Sequence, residues 1–329
     1  MTKSGDDLGP LAAGGWLGIL KPPGMTSHDV VAAVRRWLPR GVRVGHTGTL
    51  DPDAAGVLTL LLGKATRLAA YLENEEKVYR AEITFGWSTD SQDSSGEPVE
   101  VRPECSVALP EVLRAMQRFV GTIQQVPPMV SARRYEGQHL YELARQGRTV
   151  QRQARAVQIY AWRLLEPQNA PPYLGFGQRL LTEVRCSRGT YVRTLCHDLG
   201  SLLGCPAHLS LLLRVRSGAV SVGDCFALAE VQAAWRSAAP LLQDGPQSGM
   251  WPLIRPPQEL FPGLPRRRCT SQETARIVHG QPLPILRQDA CGHGDEKAKY
   301  WVLLGPDGRM VALAQRRDTG LIWPVCVLA

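Results

Sequence analysis

The chain has 329 residues, 44% apolar and 21% charged, enough for one large folded domain and a smaller one and unlike a collagen-type or wholly disordered polypeptide. Lys and Arg total 38 against 30 Asp and Glu, and the formal charge of +8 favours a polyanionic partner. The longest apolar run, residues 57–62, is far too short to span a bilayer, and residues 1–16 lack a signal-peptide pattern, so a soluble, cytoplasmic protein is expected.

Eight cysteines, at 105, 186, 196, 205, 225, 269, 291 and 326, form no C-x-x-C pair, which excludes a zinc ribbon or a thioredoxin motif and predicts that most are buried, reduced thiols. Cys291 and His293 offer two metal ligands, but no second pair stands near them, and no metal site is expected.

The first predicted element is a helix over 27–38. Val30, Val31, Val34 and Leu38 recur at helical spacing, Thr26 with Asp29 makes a capping box, and Pro39 ends it. After the glycine-rich segment 45–63 the pattern alternates, with Tyr79, Ala81, Ile83 and Phe85 on one face and Arg80, Glu82 and Thr84 on the other, which predicts a half-buried strand. A polar loop over 88–98 follows, then a helix carrying Val112, Leu113, Met116 and Val120 that stops at Gly121. Strands are predicted over 156–165 and 180–186 around a Pro/Gly-rich loop at 167–177, followed by a helix over 191–203 closed by Gly204.

Residues 237–265 hold seven prolines and little periodicity, the composition of a domain boundary. Beyond it, 266–329 predicts a short helix with Thr270 and Glu273 as capping box and three strands, one turning at 305–308. The mixture of elements predicts an α+β class, followed by a small second domain.

The densest chemical signal is Gly45-His-Thr-Gly-Thr-Leu-Asp-Pro-Asp-Ala-Ala-Gly-Val-Leu58, where glycines permit sharp bends around Asp51. Two readings stay open. Asp51 can be the N-cap of a helix whose first residue is Pro52, or a loop-presented nucleophile, which needs an ionised carboxylate, a cationic neighbour and exclusion of water. Gly63-Lys64 is not a P-loop, because Leu58 stands where its first glycine belongs and Ala65 where Ser or Thr should bind magnesium. Asp51 and Asp53, two apart in one loop, are poorly disposed to flank a sugar as a glycosidase pair must.

A series of blocks resembles the TruB-type tRNA pseudouridine synthases. They are Gly18-Ile-Leu-Lys-Pro-Pro-Gly-Met-Thr-Ser27, the Asp51 segment with Leu62-Gly-Lys-Ala-Thr66, Lys77-Val-Tyr-Arg80 and residues 86–93. Further on come Val126-Pro-Pro-Met-Val-Ser-Ala132, Leu140-Tyr-Glu-Leu-Ala-Arg-Gln-Gly147, Cys186-Ser-Arg-Gly-Thr-Tyr-Val-Arg193 and Ala207-His-Leu-Ser210. Their shared order over about two hundred residues carries the resemblance, which favours the nucleophile reading of Asp51.

The resemblance implies isomerisation of a uridine at position 55 in the T-loop of tRNA, with Asp51 as catalytic aspartate and Arg193 as its guanidinium partner. It implies that Tyr79 stacks on the extruded base, that Tyr191 and Leu212 complete the pocket, and that His46 contacts the RNA around the vacated base. Without the family, Tyr79 would be plain core, Arg193 a solvated helix residue and His46 a local hydrogen-bonding group. Lys21, Lys64, Arg133, Arg134, Arg145 and Arg155 are the implied RNA contacts. The last four lie in a segment, residues 133–155, where six arginines meet only Glu136 and Glu142 and two tyrosines are interleaved, although such charge runs are also ordinary solvated surface.

The organisation implied by the resemblance is an α+β catalytic domain over 1–250, a mixed, mainly antiparallel sheet flanked by helices and loops with an RNA-gripping insertion near 105–175, and a small mainly-β PUA-like RNA-binding domain over 251–329. No cofactor is implied, since the isomerisation has no net redox change, and the expected species is a monomer with tRNA as partner and no protein partner. The chain departs from the family pattern at Arg133-Arg134 and at Leu213-Arg214. A tRNA-binding or tRNA-folding protein with little catalysis is the alternative; the intact Asp51, Tyr79 and Arg193 favour the enzyme.

Overall fold

A computed structural model describes residues 14–72, 75–129, 134–135, 138–139, 148, 150–238, 253–285, 298–317 and 320–328. The described residues fall into two compact units, one drawn from Met1–Pro52, Gly56–Glu73 and Gly218–Ala329, the other from Asp53–Ala55 and Asn74–Ser217.

In the first unit, β1 (Gly15–Lys21) runs antiparallel to β3 (Ala55–Leu62), with β2 (Val44–His46) on the far part of β3. β3 is the apolar run met in the sequence, and its residues alternate between two cores. Val57 and Leu61 join one, Leu58, Leu60 and Leu62 the other, so a strand covered on both faces reads as continuous hydrophobicity. Between β1 and β2 lies α1 (Ser27–Trp37), and the expected capping box is formed: Asp29 N donates to Thr26 Oγ1 at 3.0 Å, and Thr26 N donates to Asp29 Oδ2 at 2.9 Å. Val30, Val31 and Val34 pack its inner face on Leu58, Leu60 and Leu62. Leu38, before Pro39, is extended as that position demands, so the helix ends one residue earlier than predicted. A four-residue helix, α2 (Ala69–Leu72), closes this stretch.

The second unit is built on β4 (Lys77–Phe85), which has the predicted Tyr79/Ala81/Ile83/Phe85 face, each at most 9% exposed. The opposite face is less open than alternation suggested, because Thr84 is buried beside the exposed Arg80 and half-buried Glu82. The loop predicted over 88–98 is bounded by a small hairpin of β5 (Trp87–Thr89) and β6 (Pro98–Val101). Then come β7 (Ser106–Ala108), α3 (Leu109–Gln117), β8 (Gly121–Gln125) and the two-residue β9 (Arg134–Tyr135) and β10 (Gln138–His139). β11 (Arg155–Leu164) precedes β12 (Tyr173–Gly175), which lies inside the predicted Pro/Gly loop and pairs with β7. β13 (Arg179–Cys186), α4 (Val192–Leu203) and β14 (Ala207–Ser217) complete the unit.

All the pairings of its main sheet are antiparallel, in the order β14-β4-β13-β11-β8. Gly204 caps α4 at φ +66° as the sequence predicted, turning the chain directly into β14. Cys105 and Cys205 are joined in a disulfide with Cα atoms 5.4 Å apart, an exception among cysteines expected to be mostly reduced. Cys186, Cys196, Cys269 and Cys326 are buried and Cys225 is half-buried, all five outside any disulfide.

The carboxy-terminal part returns to the first unit with β15 (Val220–Ser221), β16 (Cys225–Ala227), parallel to β1, and α5 (Leu228–Ala238). The boundary expected near residue 250 falls outside the described residues. β17 (Arg266–Arg268), α6 (Ser271–Val278), β18 (Leu283–Pro284), β19 (Tyr300–Leu304), β20 (Met310–Arg316) and β21 (Leu321–Val327) form a five-stranded sheet in the order β17-β19-β20-β21-β18, with its helix on one face. Both the Thr270/Glu273 capping box and the turn at 305–308 are formed. This sheet is apolar on both faces. Trp301, Leu303, Val311 and Ala312 pack with Ile277 of α6, while Val302, Met310, Leu313 and Leu328 share a core with Trp16, Val57 and Leu61. Arg267 of β17 is 2% exposed and paired with Glu273. Among the described residues no helix is long and apolar enough to cross a membrane.

Candidate active site

The segment carrying Asp51 contains no helix. Residues 51–54 are a bend between β2 and β3, so Asp51 does not cap a helix beginning at Pro52, and that reading is withdrawn. The bend is held from both sides. Ser27, at the start of α1, donates its hydroxyl to Leu50 O at 3.2 Å and accepts from Leu50 N at 2.9 Å. Lys21, the last residue of β1, donates its ammonium to Pro22 O at 2.9 Å, Met25 O at 2.5 Å and Pro52 O at 2.7 Å, and Gly24 N adds a bond to Pro52 O at 3.0 Å. The residues before and after Asp51 are therefore both tied to the Lys21–Ser27 turn, and the half-buried carboxylate is presented from a braced loop.

Lys21 was expected to contact RNA. At 1% exposure and surrounded by backbone carbonyls it cannot also reach a phosphate, and its work is to position the Asp51 loop. His46 is the half-buried last residue of β2, opposite Leu60, five residues before Asp51. Lys64 is half-buried in the 3₁₀ turn Gly63–Leu68 that follows β3.

The other predicted residues lie in the second unit. Tyr79, 9% exposed on β4, stands opposite Val184 on one side and Arg214 on the other. Leu212, half-buried on β14, pairs with Ala81, two residues along β4 from Tyr79. Tyr191 is the N-cap of α4, and its peptide is clamped by buried Gln125, whose Oε1 accepts from Tyr191 N at 2.7 Å and whose Nε2 donates to Tyr191 O at 3.0 Å. The Tyr191 ring lies 5.8 Å from the Arg193 guanidinium carbon, within cation–π range.

Arg193 is 3% exposed, far from the solvated helix residue that its type alone suggests. Its Nη1 donates to Asp93 Oδ2 at 3.2 Å, and Asp93 Oδ1 accepts from the hydroxyls of Ser91 and Ser95, both at 2.6 Å, and from Ser95 N at 3.1 Å. A guanidinium has five N–H donors, so this bond orients the group without exhausting it. The neighbouring residues repeat the link, with Thr194 Oγ1 donating to Gln92 Oε1 at 2.7 Å, and Gln92 holds a left-handed φ of 67° to make it.

Asp93 and Arg214 are the residues that sequence reasoning missed. Asp93 closed one of the family blocks without a role, and Arg214 registered only as part of a departure from the pattern, yet it is 2% exposed beside Tyr79. Among the expected RNA contacts, Arg155 is exposed at the start of β11, and Arg134 lies in β9 with its side chain outside the described residues. Arg133 and Arg145 are outside them, as are Cys291 and His293. Arg152 donates to Pro127 O at 3.0 Å. Among the described residues no cluster of three or more His, Cys, Asp or Glu is arranged to hold a metal.

Comparison with known proteins points to the same family. The model of the TruB family pseudouridylate synthase N-terminal domain matches residues 35–192, and that of the tRNA pseudouridylate synthase B C-terminal domain matches 193–245. The tRNA pseudouridine synthase B of Symbiobacterium thermophilum is 46% identical over 267 residues, covering 81% of this chain and 82% of that protein. The chain belongs to the TruB family. The enzyme of the same name from Heliobacterium modesticaldum is 47% identical over 311 residues, 94% of this chain and 93% of its own length, so kinship reaches into the carboxy-terminal sheet. Among solved structures, one titled as a Cbf5-Nop10-Gar1 complex aligns with a TM-score of 0.65 and 26% identity over 92% of this chain and 78% of that one. The fold is that of the pseudouridine synthases, with a PUA-like mainly-β carboxy-terminal part.

Proposed function

We propose that this chain isomerises uridine to pseudouridine in tRNA, at position 55 of the T-loop, with Asp51 as the nucleophile. The observation that carries this reading is the braced presentation of Asp51: a carboxylate on a bend whose two neighbours are fixed by Lys21 and Ser27, in a chain about half identical to proteins named tRNA pseudouridine synthase B. In the reaction the N-glycosidic bond breaks, the base turns, and C5 bonds to the ribose carbon in place of N1. The proton on C5 is lost and N1 gains one, so no electrons enter or leave and the chain's own residues suffice.

Arg193, steered by Asp93, supplies the positive charge that keeps the nucleophile ionised. Tyr79 offers a ring face that recovers part of the few kcal/mol spent extruding the base, Tyr191 and Leu212 close the pocket, and His46 contacts the RNA around the vacated base. Lys64, Arg133, Arg134, Arg145 and Arg155 contact the T-arm backbone; with the PUA-like domain over 251–329 they hold the substrate, and the enzyme works as a cytoplasmic monomer. The test is to incubate an unmodified tRNA transcript with the purified protein and map pseudouridine. Modification at position 55 is expected; tight tRNA binding without pseudouridine would instead identify a tRNA-binding protein on this scaffold.

A further inference from the structure

Beyond the catalytic loop, the first unit carries an open groove walled by Arg35 and Arg36 at the end of α1, by Arg40 and Arg43 in the loop that follows, and by Gly45 and Thr66. All four arginines are exposed. The only acid between Trp16 and Leu50 is Asp29, and it is engaged in the capping box at the opposite end of α1, about 9 Å away along the helix axis. No carboxylate among the described residues pairs with any of the four.

Helix stability accounts for part of this cluster. Cations in a last helical turn interact favourably with the dipole, which suffices for Arg35 and Arg36. It does not reach Arg40 and Arg43, which lie past the helix on a turn fixed by Val42 N donating to Pro39 O at 3.2 Å, by Gly41 at φ +90°, and by Gly63 N donating to Arg43 O at 2.8 Å. A rigid loop thus adds two like charges to two already present, with no counter-charge paired to them among the described residues, an arrangement that costs free energy until an anion arrives. Arg43 leads straight into β2, so its Cα lies about 10 Å along the strand from that of His46.

We propose that this groove binds the sugar–phosphate backbone of the tRNA substrate, as a second anchoring surface distinct from the arginines of residues 133–155. The proposal rests on the tRNA reading above. Spaced guanidiniums around an open groove suit a run of phosphates, each held by one or two N–H donors, and they contribute affinity and register without reading bases.

The test is filter binding of an unmodified tRNA transcript across a salt series, with Arg40→Gln/Arg43→Gln and, independently, Arg35→Gln/Arg36→Gln. Removing one arginine–phosphate pairing should lower the slope of log affinity against log salt by about 0.7–0.9. A double substitution should therefore take about 1.5 from the slope and on the order of 30-fold from the affinity near 0.1 M salt. Arg40→Lys/Arg43→Lys should recover most of the slope, which a purely structural role would not produce, and thermal melting of each variant checks the fold.

Wild-type slope and affinity in both Gln pairs would overturn the proposal. So would unchanged tRNA binding together with abolished binding of poly-glutamate, which would make the groove a site for an acidic protein. Pseudouridine formation by the wild-type protein in parallel reports on the functional reading separately, so failure of the groove and failure of the activity are told apart.

Discussion

Replacing Lys21 with Met separates the role found in the structure from the RNA contact that the family resemblance implied. Met keeps the apolar stem and removes the ammonium, whose three bonds, 2.5–2.9 Å long, end on Pro22, Met25 and Pro52 carbonyls. All three carbonyls lose this donor, and Pro52 O keeps its bond from Gly24 N, so the loss falls mainly on the carbonyls of Pro22 and Met25. Each buried polar group left unsatisfied costs about 1–3 kcal/mol, and relief of the ammonium's desolvation offsets part of the sum, leaving a net loss of about 2 kcal/mol.

The effect on catalysis should be larger than stability implies. Pro52 follows the nucleophile directly, and a displacement of about 1 Å costs on the order of 100-fold in rate. The expected outcome is a lower urea midpoint, a single-turnover rate of pseudouridine formation down by about 10- to 100-fold, and a tRNA affinity within a few fold of wild type. A phosphate-binding lysine would behave in the opposite way, with unchanged stability, weaker tRNA binding and a salt slope reduced by about 0.7–0.9. That second pattern would refute the reasoning.

Further outcomes follow from the second unit. Asp93→Ala frees the Arg193 guanidinium from its orienting carboxylate and should lower kcat by about 10- to 100-fold with tRNA affinity little changed; an unaltered kcat would remove Asp93 as a positioning residue. Burial pushes the Glu75 carboxyl up to about 7, against the opposing pull of Lys77, from an ordinary value of 4.5. The folded state therefore binds the proton more tightly than the unfolded one, and the stability so gained is present below pH 4.5 and lost as pH rises through about 7. Glu75→Gln should remove roughly 3 kcal/mol of this pH dependence, measured as urea unfolding free energies between about pH 5 and pH 8, and an identical pH profile would contradict it. Gly204→Ala, at φ +66° with nothing within 4 Å of the added Cβ, should cost only about 1 kcal/mol of backbone strain. Gly200→Ala, whose Cβ would fall 2.4 Å from Ala207 N, should cost more in the same thermal-melt comparison.

Local chemistry made much of the fold legible in advance. Capping boxes at Thr26/Asp29 and Thr270/Glu273, the Gly204 stop and the alternation from Tyr79 to Phe85 are short-range signals, and all are formed. Elements governed by distant partners were not legible. β3 sits between two cores and shows no period, while β14 is interrupted by register shifts at Leu209/Leu211 and Arg214/Arg216, which erase a period of two.

The same division runs through the site. Asp51, Tyr79 and Arg193 stood out through the family blocks, because their residue types carry the chemistry. The N-cap reading of Asp51 failed because residues 51–54 are shaped by Lys21 and Ser27, thirty-one and twenty-three residues from their partners Pro52 and Leu50. For the same reason Lys21, implied as an RNA contact, proves to be an internal brace. Asp93 could not be assigned from spacing, since its partner lies one hundred residues away.

The central claim is that the Asp51 carboxylate performs the chemistry and does not serve to hold RNA. It is tested most directly by single-turnover reaction of saturating Asp51→Asn protein with an unmodified tRNA transcript, alongside its equilibrium affinity for that tRNA. The account predicts no pseudouridine above background and a Kd within a few fold of wild type. Pseudouridine formed at the wild-type rate, or tRNA binding abolished together with activity, would contradict it.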